Sequence, residues 1–100
     1  MSLDTILIQF LLSLPLSQFR QIVKSLSDKQ AKYIKEIIVN LLAGNIDVTS
    51  QQKNRLSRYK VFLRKIAQSS GSGRSVIVKT PITLYKVLAI IKVALLDLIQ

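Results

Sequence analysis

Two helix-opening signatures on either side of a glycine turn constrain this chain more than any other feature. The first is "SDKQ", Ser27 to Gln30, and the second is "TSQQ", Thr49 to Gln52. In each, a hydroxyl can accept from the N–H three residues on, while the glutamine reaches back to the N–H of the capping residue. Two orphan donors of the first turn are then satisfied locally. After the first box Ala31, Ile34, Ile38, Leu41 and Leu42 recur at helical spacing, and Ala43-Gly44-Asn45 supplies a glycine stop. The second box opens a helix running to about Gln68. Together they predict a helical hairpin centred on Gly44 to Val48.

The remainder extends the same class. "LDTILIQFLLS" reads as a short helix, and Pro15 begins a second one through about Leu26. Thr80-Pro81 forms a good N-cap and N1 pair for a last helix over 81–99. "SSGSGRS", Ser69 to Ser75, has the composition of a flexible linker, and "VIVKT" after it reads as a short extended piece. The expectation is an all-α domain of five helices: a basic helical part over residues 1–68, a linker over 69–79, and an apolar C-terminal helix over 80–100 packed into the same domain. At 100 residues one domain is the natural count, large enough to bury a core without staples.

Composition then removes most chemistry. Cysteine and histidine are both absent, which excludes thiolate nucleophiles, cysteine zinc sites and the commonest general base. Asp28, Glu36 and Asp47 show no paired-carboxylate or metal-ligand spacing. "GSGRS" lacks the Gly-Lys-Ser/Thr ending of a phosphate loop. The expectation is no enzyme, no catalytic residue, no metal and no cofactor.

Charge points to a partner. Lys and Arg number fifteen against five Asp and Glu, net +10, and all ten cations between Val48 and Leu96 lie in a stretch without a single acid. "NRLSRYKVFLRK", residues 54–65, holds five of them. On a helical wheel Leu56, Tyr59, Leu63 and Ile66 form an apolar stripe widened by Phe62. Lys53, Lys60 and Arg64 line one flank of it, and Arg55, Arg58 and Lys65 the other. A solvated face usually mixes signs, so six like charges on one helix point first to a polyanion: a sequence-nonspecific nucleic-acid partner, or alternatively an anionic membrane surface. Charge serving solubility alone is the bland alternative, and a helical protein-interaction module that pairs its apolar ends with a partner helix is a further one. Arg74 and Lys79 extend this footprint across the linker. Lys29, Lys32 and Lys35 make a secondary basic row, weakened by a possible Lys32–Glu36 pair. Tyr59 sits in the stripe and is assigned to the core rather than to base stacking.

The two ends are apolar. "PITLYKVLAIIKVALLDLIQ" spans about 28 Å as a helix, near bilayer thickness, but Lys86, Lys92 and Asp97 interrupt it. Lys86 and Asp97 share a side and Lys92 points elsewhere. A central core helix or a self-association surface through residues 82–99 is favoured over membrane insertion. Asp4 and the absence of a clean cleavage site make "MSLDTILIQFLLSL" a mature helix rather than a signal peptide.

One segment resembles a known group. "IIVNLLAGNIDVTSQQKNRLSRYKVFLRKIA", Ile37 to Ala67, is similar to part of the small basic proteins encoded by adenovirus-like, polinton-type DNA viruses and virus-derived elements of animals. Their pattern is a helix ending in a Gly-Asn turn, a polar pair, then Gln-Lys-x-Arg-Leu and a basic helix. It falls here on Gly44, Asn45, Gln52, Lys53, Arg55, Leu56, Arg58, Tyr59, Lys60, Leu63, Arg64 and Lys65. The resemblance implies a virion core or genome-packaging role and a nuclear or virion location, with membrane association as the alternative. Beyond Ala67 the chain departs from the pattern: a Gly/Ser stretch and a long aliphatic helix replace a lysine-rich run and glycine-rich tail.

Overall fold

The computed structural model describes residues 5–99, with the side chains of 6–98, so Leu3, Asp4 and Gln100 of the apolar ends lie outside the described residues. Every regular element in that range is helical: α1 (Thr5–Ser13), α2 (Leu16–Lys24), α3 (Asp28–Leu42), α4 (Ser50–Leu56), a 3₁₀ turn (Ser57–Tyr59), α5 (Lys60–Gln68), α6 (Arg74–Lys79) and α7 (Pro81–Ile99).

Both capping boxes form. Ser27 Oγ accepts from the Gln30 N–H at 3.1 Å while Gln30 Oε1 accepts from the Ser27 N–H at 2.9 Å. Thr49 and Gln52 repeat the exchange at 3.1 and 2.7 Å. Gln52 does more, because its amide also donates to the Ile90 carbonyl at 3.2 Å and so ties the start of α4 to α7. Gly44 ends α3 at φ +81, and the Asn45 N–H returns to the Asn40 carbonyl at 2.9 Å. Only glycine enters that left-handed region without strain.

The apolar C-terminal helix is the core. Leu84, Val87, Leu88, Ile91 and Leu95 are buried, and α1, α2, α4 and α6 pack around α7. Phe19 of α2 meets Tyr85 of α7 edge-to-face, with ring centroids 5.2 Å apart. The radius of gyration is 12.3 Å, close to the ~13 Å of a compact chain of this length. The last helix is therefore folded back among the others, and among its described residues Ile82, Val93 and Leu98 are the exposed large hydrophobics.

The structure corrects the sequence expectation at residues 69–79. The "VIVK" stretch is not extended: it belongs to α6, which opens after Gly73 at φ +74. Burial of Ile77 (0% exposed) outweighs the β preference of branched residues, a tertiary effect that local propensity does not contain. Nor does the Gly/Ser stretch hang free. Lys35 Nζ donates to the carbonyls of Ser69 (2.7 Å) and Gly71 (2.9 Å), and Ser72 Oγ donates to Asp28 at 2.9 Å. Arg74 donates to the Leu26 carbonyl through Nε (2.6 Å) and to that of Lys24 through Nη2 (3.2 Å). Gly73 sits at φ +74, where any side chain is strained, and a Cβ there would also crowd Ser69 Oγ at 2.9 Å.

This latch has a measurable consequence. Arg74→Met removes both donors while keeping the aliphatic stem, and is expected to cost about 1–2 kcal/mol in urea unfolding. Amide exchange at residues 69–73 should accelerate with it. Unchanged exchange there would contradict the latch.

The expected single helix over 50–68 is also interrupted. Ser57 Oγ donates to the Asn54 carbonyl at 2.6 Å, and the chain tightens to 3₁₀ geometry over Ser57–Tyr59. A serine bonded back to its own preceding turn bends a helix in this way.

Candidate nucleic-acid interface

The roll of the α4–α5 segment about its axis decides where its charges point. Leu56, Leu63 and Ile66 are buried at 7%, 2% and 0% exposure, with Tyr59 and Phe62 half-buried beside them. Fixing that stripe throws the flanking cations to two separate sides. Lys53 and Lys60 border a groove shared with the end of α3. Arg55, Arg58 and Lys65 face α6 and α7.

On the α6–α7 side three hollows adjoin. The first, of ≈ 480 Å³, is edged by Arg58, Lys65 and Lys79. The second, of ≈ 300 Å³, is edged by Arg55, Arg58 and Lys86 and shares Arg58 and Tyr59 with the first. The third shares Tyr85 and Ala89 with the second and carries Lys92. Six cations from α4, the 3₁₀ turn, α5, α6 and α7 thus follow one another along a single strip. No carboxylate among the described residues lines any of the three hollows. Among the described residues, none of these cations has a hydrogen-bond or ion-pair partner.

The remaining candidates go elsewhere. Arg64 is exposed on α5 and edges none of these hollows. Lys29 and Lys32 are exposed on α3, and the possible Lys32–Glu36 pair is not made among the described residues. Lys35 and Arg74 are committed to the backbone carbonyls of the latch. Arg74 is thereby held as a structural clamp, and it edges none of the three hollows, while Lys79 joins the strip from α6.

Lys86 and Lys92 were not marked as site residues by the sequence, where they read as interruptions of an apolar helix. A signal was present: Tyr85, Ala89 and Lys92 recur at i, i+4, i+7 and so share one face. That face becomes meaningful only once α2 and the α4–α5 segment pack on either side of it.

Chemically, the strip offers fixed positive charge and little else. Two cations about 8 Å apart in water repel by about 0.5 kcal/mol, so a row of them lowers stability until an anion intervenes. Arg55 and Arg58 carry planar forks suited to phosphate oxygens, and the lysines are point charges. Among the described residues no Asn or Gln edges the three hollows, so those residues supply none of the side chains that read adenine edges. Among the described residues no group of three or more His, Cys, Asp or Glu side chains is placed to hold a metal ion. No helix among them is long and apolar enough to cross a membrane. No protein-family model, curated protein or solved structure matches the chain. What can be said of its class rests on its own geometry: an all-α fold presenting an unneutralised cationic strip.

Proposed function

We propose that this chain is a non-enzymatic, sequence-nonspecific nucleic-acid-binding protein that engages the phosphate backbone through Arg55, Arg58, Lys65, Lys79, Lys86 and Lys92. The observation that carries the reading is the convergence of these six cations, unpartnered among the described residues, from α4, the 3₁₀ turn, α5, α6 and α7 on adjoining hollows that no described acid lines. Phosphate contacts position a protein without reading sequence, and they release counterions on binding. The absence of cysteine and histidine favours a binding role over catalysis. The resemblance of residues 37–67 to polinton-type viral basic proteins narrows the proposal to genome packaging or condensation, in the nucleus or virion.

The test is binding to a random-sequence 30-mer duplex across a salt series. Six phosphate contacts give a log–log slope of about −5, and the expected value lies between about −4 and −5. A slope shallower than about −2 would sink the proposal.

A second reading, association with an anionic membrane surface, draws on Val61. That side chain is 81% exposed and edges the same hollow as Arg58, Lys65 and Lys79, so an apolar side chain sits among cations as at a headgroup boundary. Co-flotation with phosphatidylserine vesicles, run in parallel, separates the two: strong flotation with a shallow DNA slope moves the function to the membrane.

A further inference from the structure

The groove on the other flank of the α4–α5 segment has a different character. It holds ≈ 630 Å³ between the end of α3, the Gly44 turn and the α4–α5 segment. Its apolar lining includes Leu41, Leu42, Ile46, Val48, Leu56 and Leu63, and Lys53 and Lys60 edge it. Leu42 is 44% exposed, and Val39, one turn earlier on α3, is 42% exposed. The apolar surface thus continues along α3 as a strip instead of closing into a compact cavity. We propose that this groove docks an acidic amphipathic helix of a partner protein.

Three observations select that occupant. Lys53 and Lys60 are seven residues apart, about 10 Å along a helix, and among the described residues neither has a partner. A single carboxylate headgroup would reach one of them and leave the other bare, whereas a helix with acids two turns apart engages both. The elongated apolar floor suits the i, i+3, i+7 side chains of such a helix. A second copy of this chain fits poorly, since its net charge is +10 and residues 48–96 contain no acid to offer the two lysines. Among the described residues Asp47 is the one acid lining the groove, so the partner should place a neutral or basic residue against it.

The groove lies on the opposite flank from the cationic strip, so its occupancy leaves Arg55 and Arg58 free. The inference is independent of what the strip binds. An acidic helix there would add negative charge to a strongly basic protein without covering its phosphate-binding face.

The probe is a fluorescein-labelled peptide of about 18 residues, some 27 Å of helix, with leucines at i, i+3, i+7 and glutamates seven apart. Its controls are a scrambled peptide of equal composition and a Glu→Gln version. Saturable anisotropy is expected with the designed peptide, and weaker binding with both controls. The double variant Lys53→Gln/Lys60→Gln should weaken the glutamate peptide roughly three- to tenfold, as two exposed ion pairs would, and leave the Gln version unaffected. Leu42→Glu should reduce binding tenfold or more. Arg55→Gln/Arg58→Gln, which disturbs the strip but removes no groove-lining side chain, should leave the affinity for the peptide unchanged. Because Lys53, Lys60 and Leu42 are surface positions, thermal melts of these variants should match the parent. The inference is overturned by equal affinity for the scrambled peptide, by equal loss in the Arg55/Arg58 variant, or by no saturable binding up to about 1 mM. Uptake of palmitate without peptide binding would instead assign the groove to a lipid.

Discussion

Replacing Arg55, Arg58, Lys65 and Lys79 together by Gln should weaken duplex DNA binding about 100-fold near physiological salt and flatten the salt slope by about 3 to 4. Each cation that contacts a phosphate contributes close to one unit of slope. At about 0.7 kcal/mol per exposed pair, four lost pairs amount to about 3 kcal/mol. The informative comparison is a second variant with the same loss of charge, Lys29, Lys32, Lys53 and Lys60 to Gln. These side chains are exposed and lie off the strip. If a face does the binding, this variant should lose less than about threefold and less than about one unit of slope. Equal losses in the two variants would mean that net charge alone binds, with no face selected. None of the eight positions is buried, so neither variant should unfold the domain.

The second large effect concerns stability. Phe19→Ala should destabilise the domain by about 3–5 kcal/mol, against the 5–15 kcal/mol usual for a whole domain. Phe19 is 1% exposed and packs edge-to-face on Tyr85, so truncation opens a cavity and removes an aromatic contact. A shift in Tm of about 15–30 °C follows for a chain of this length. Tyr85 also borders the hollows that carry Arg55, Arg58, Lys86 and Lys92. Loosening its ring should therefore disturb the strip even below Tm, seen as reduced DNA affinity in the still-folded variant. A Tm loss under about 5 °C would show that α2 and α7 are not joined in the way the packing indicates.

What the sequence revealed and what it hid divides along a physical line. The capping boxes at Ser27 and Thr49 were legible because their partners sit three residues away. The separation of Arg55, Arg58 and Lys65 from Lys53 and Lys60 was legible too, since the apolar stripe sets helical phase. Arg74 looked like part of a footprint because its true acceptors, the carbonyls of Lys24 and Leu26, lie up to 50 residues away in the chain. Lys35, placed by the sequence in a secondary basic row, likewise has an acceptor that local spacing does not reveal, the Ser69 carbonyl 34 residues distant. The helix at Arg74–Lys79 was hidden by its branched residues, whose local preference yields to the burial of Ile77. Lys86 and Lys92 entered the site only when three helices brought their neighbours together. Local rules thus recovered the all-helical class, most of the helices and the basic segment of the site. The assembly of the strip required the tertiary fold.

The claim that one face binds nucleic acid is tested most directly by lysine acetylation with and without a saturating 30-mer duplex, read peptide by peptide by mass spectrometry. Lys65, Lys79, Lys86 and Lys92 should become protected on DNA binding. Lys29, Lys32, Lys53 and Lys60 should react at nearly the free rate. Uniform protection of all eight, or protection confined to Lys29, Lys32, Lys53 and Lys60, would contradict the account.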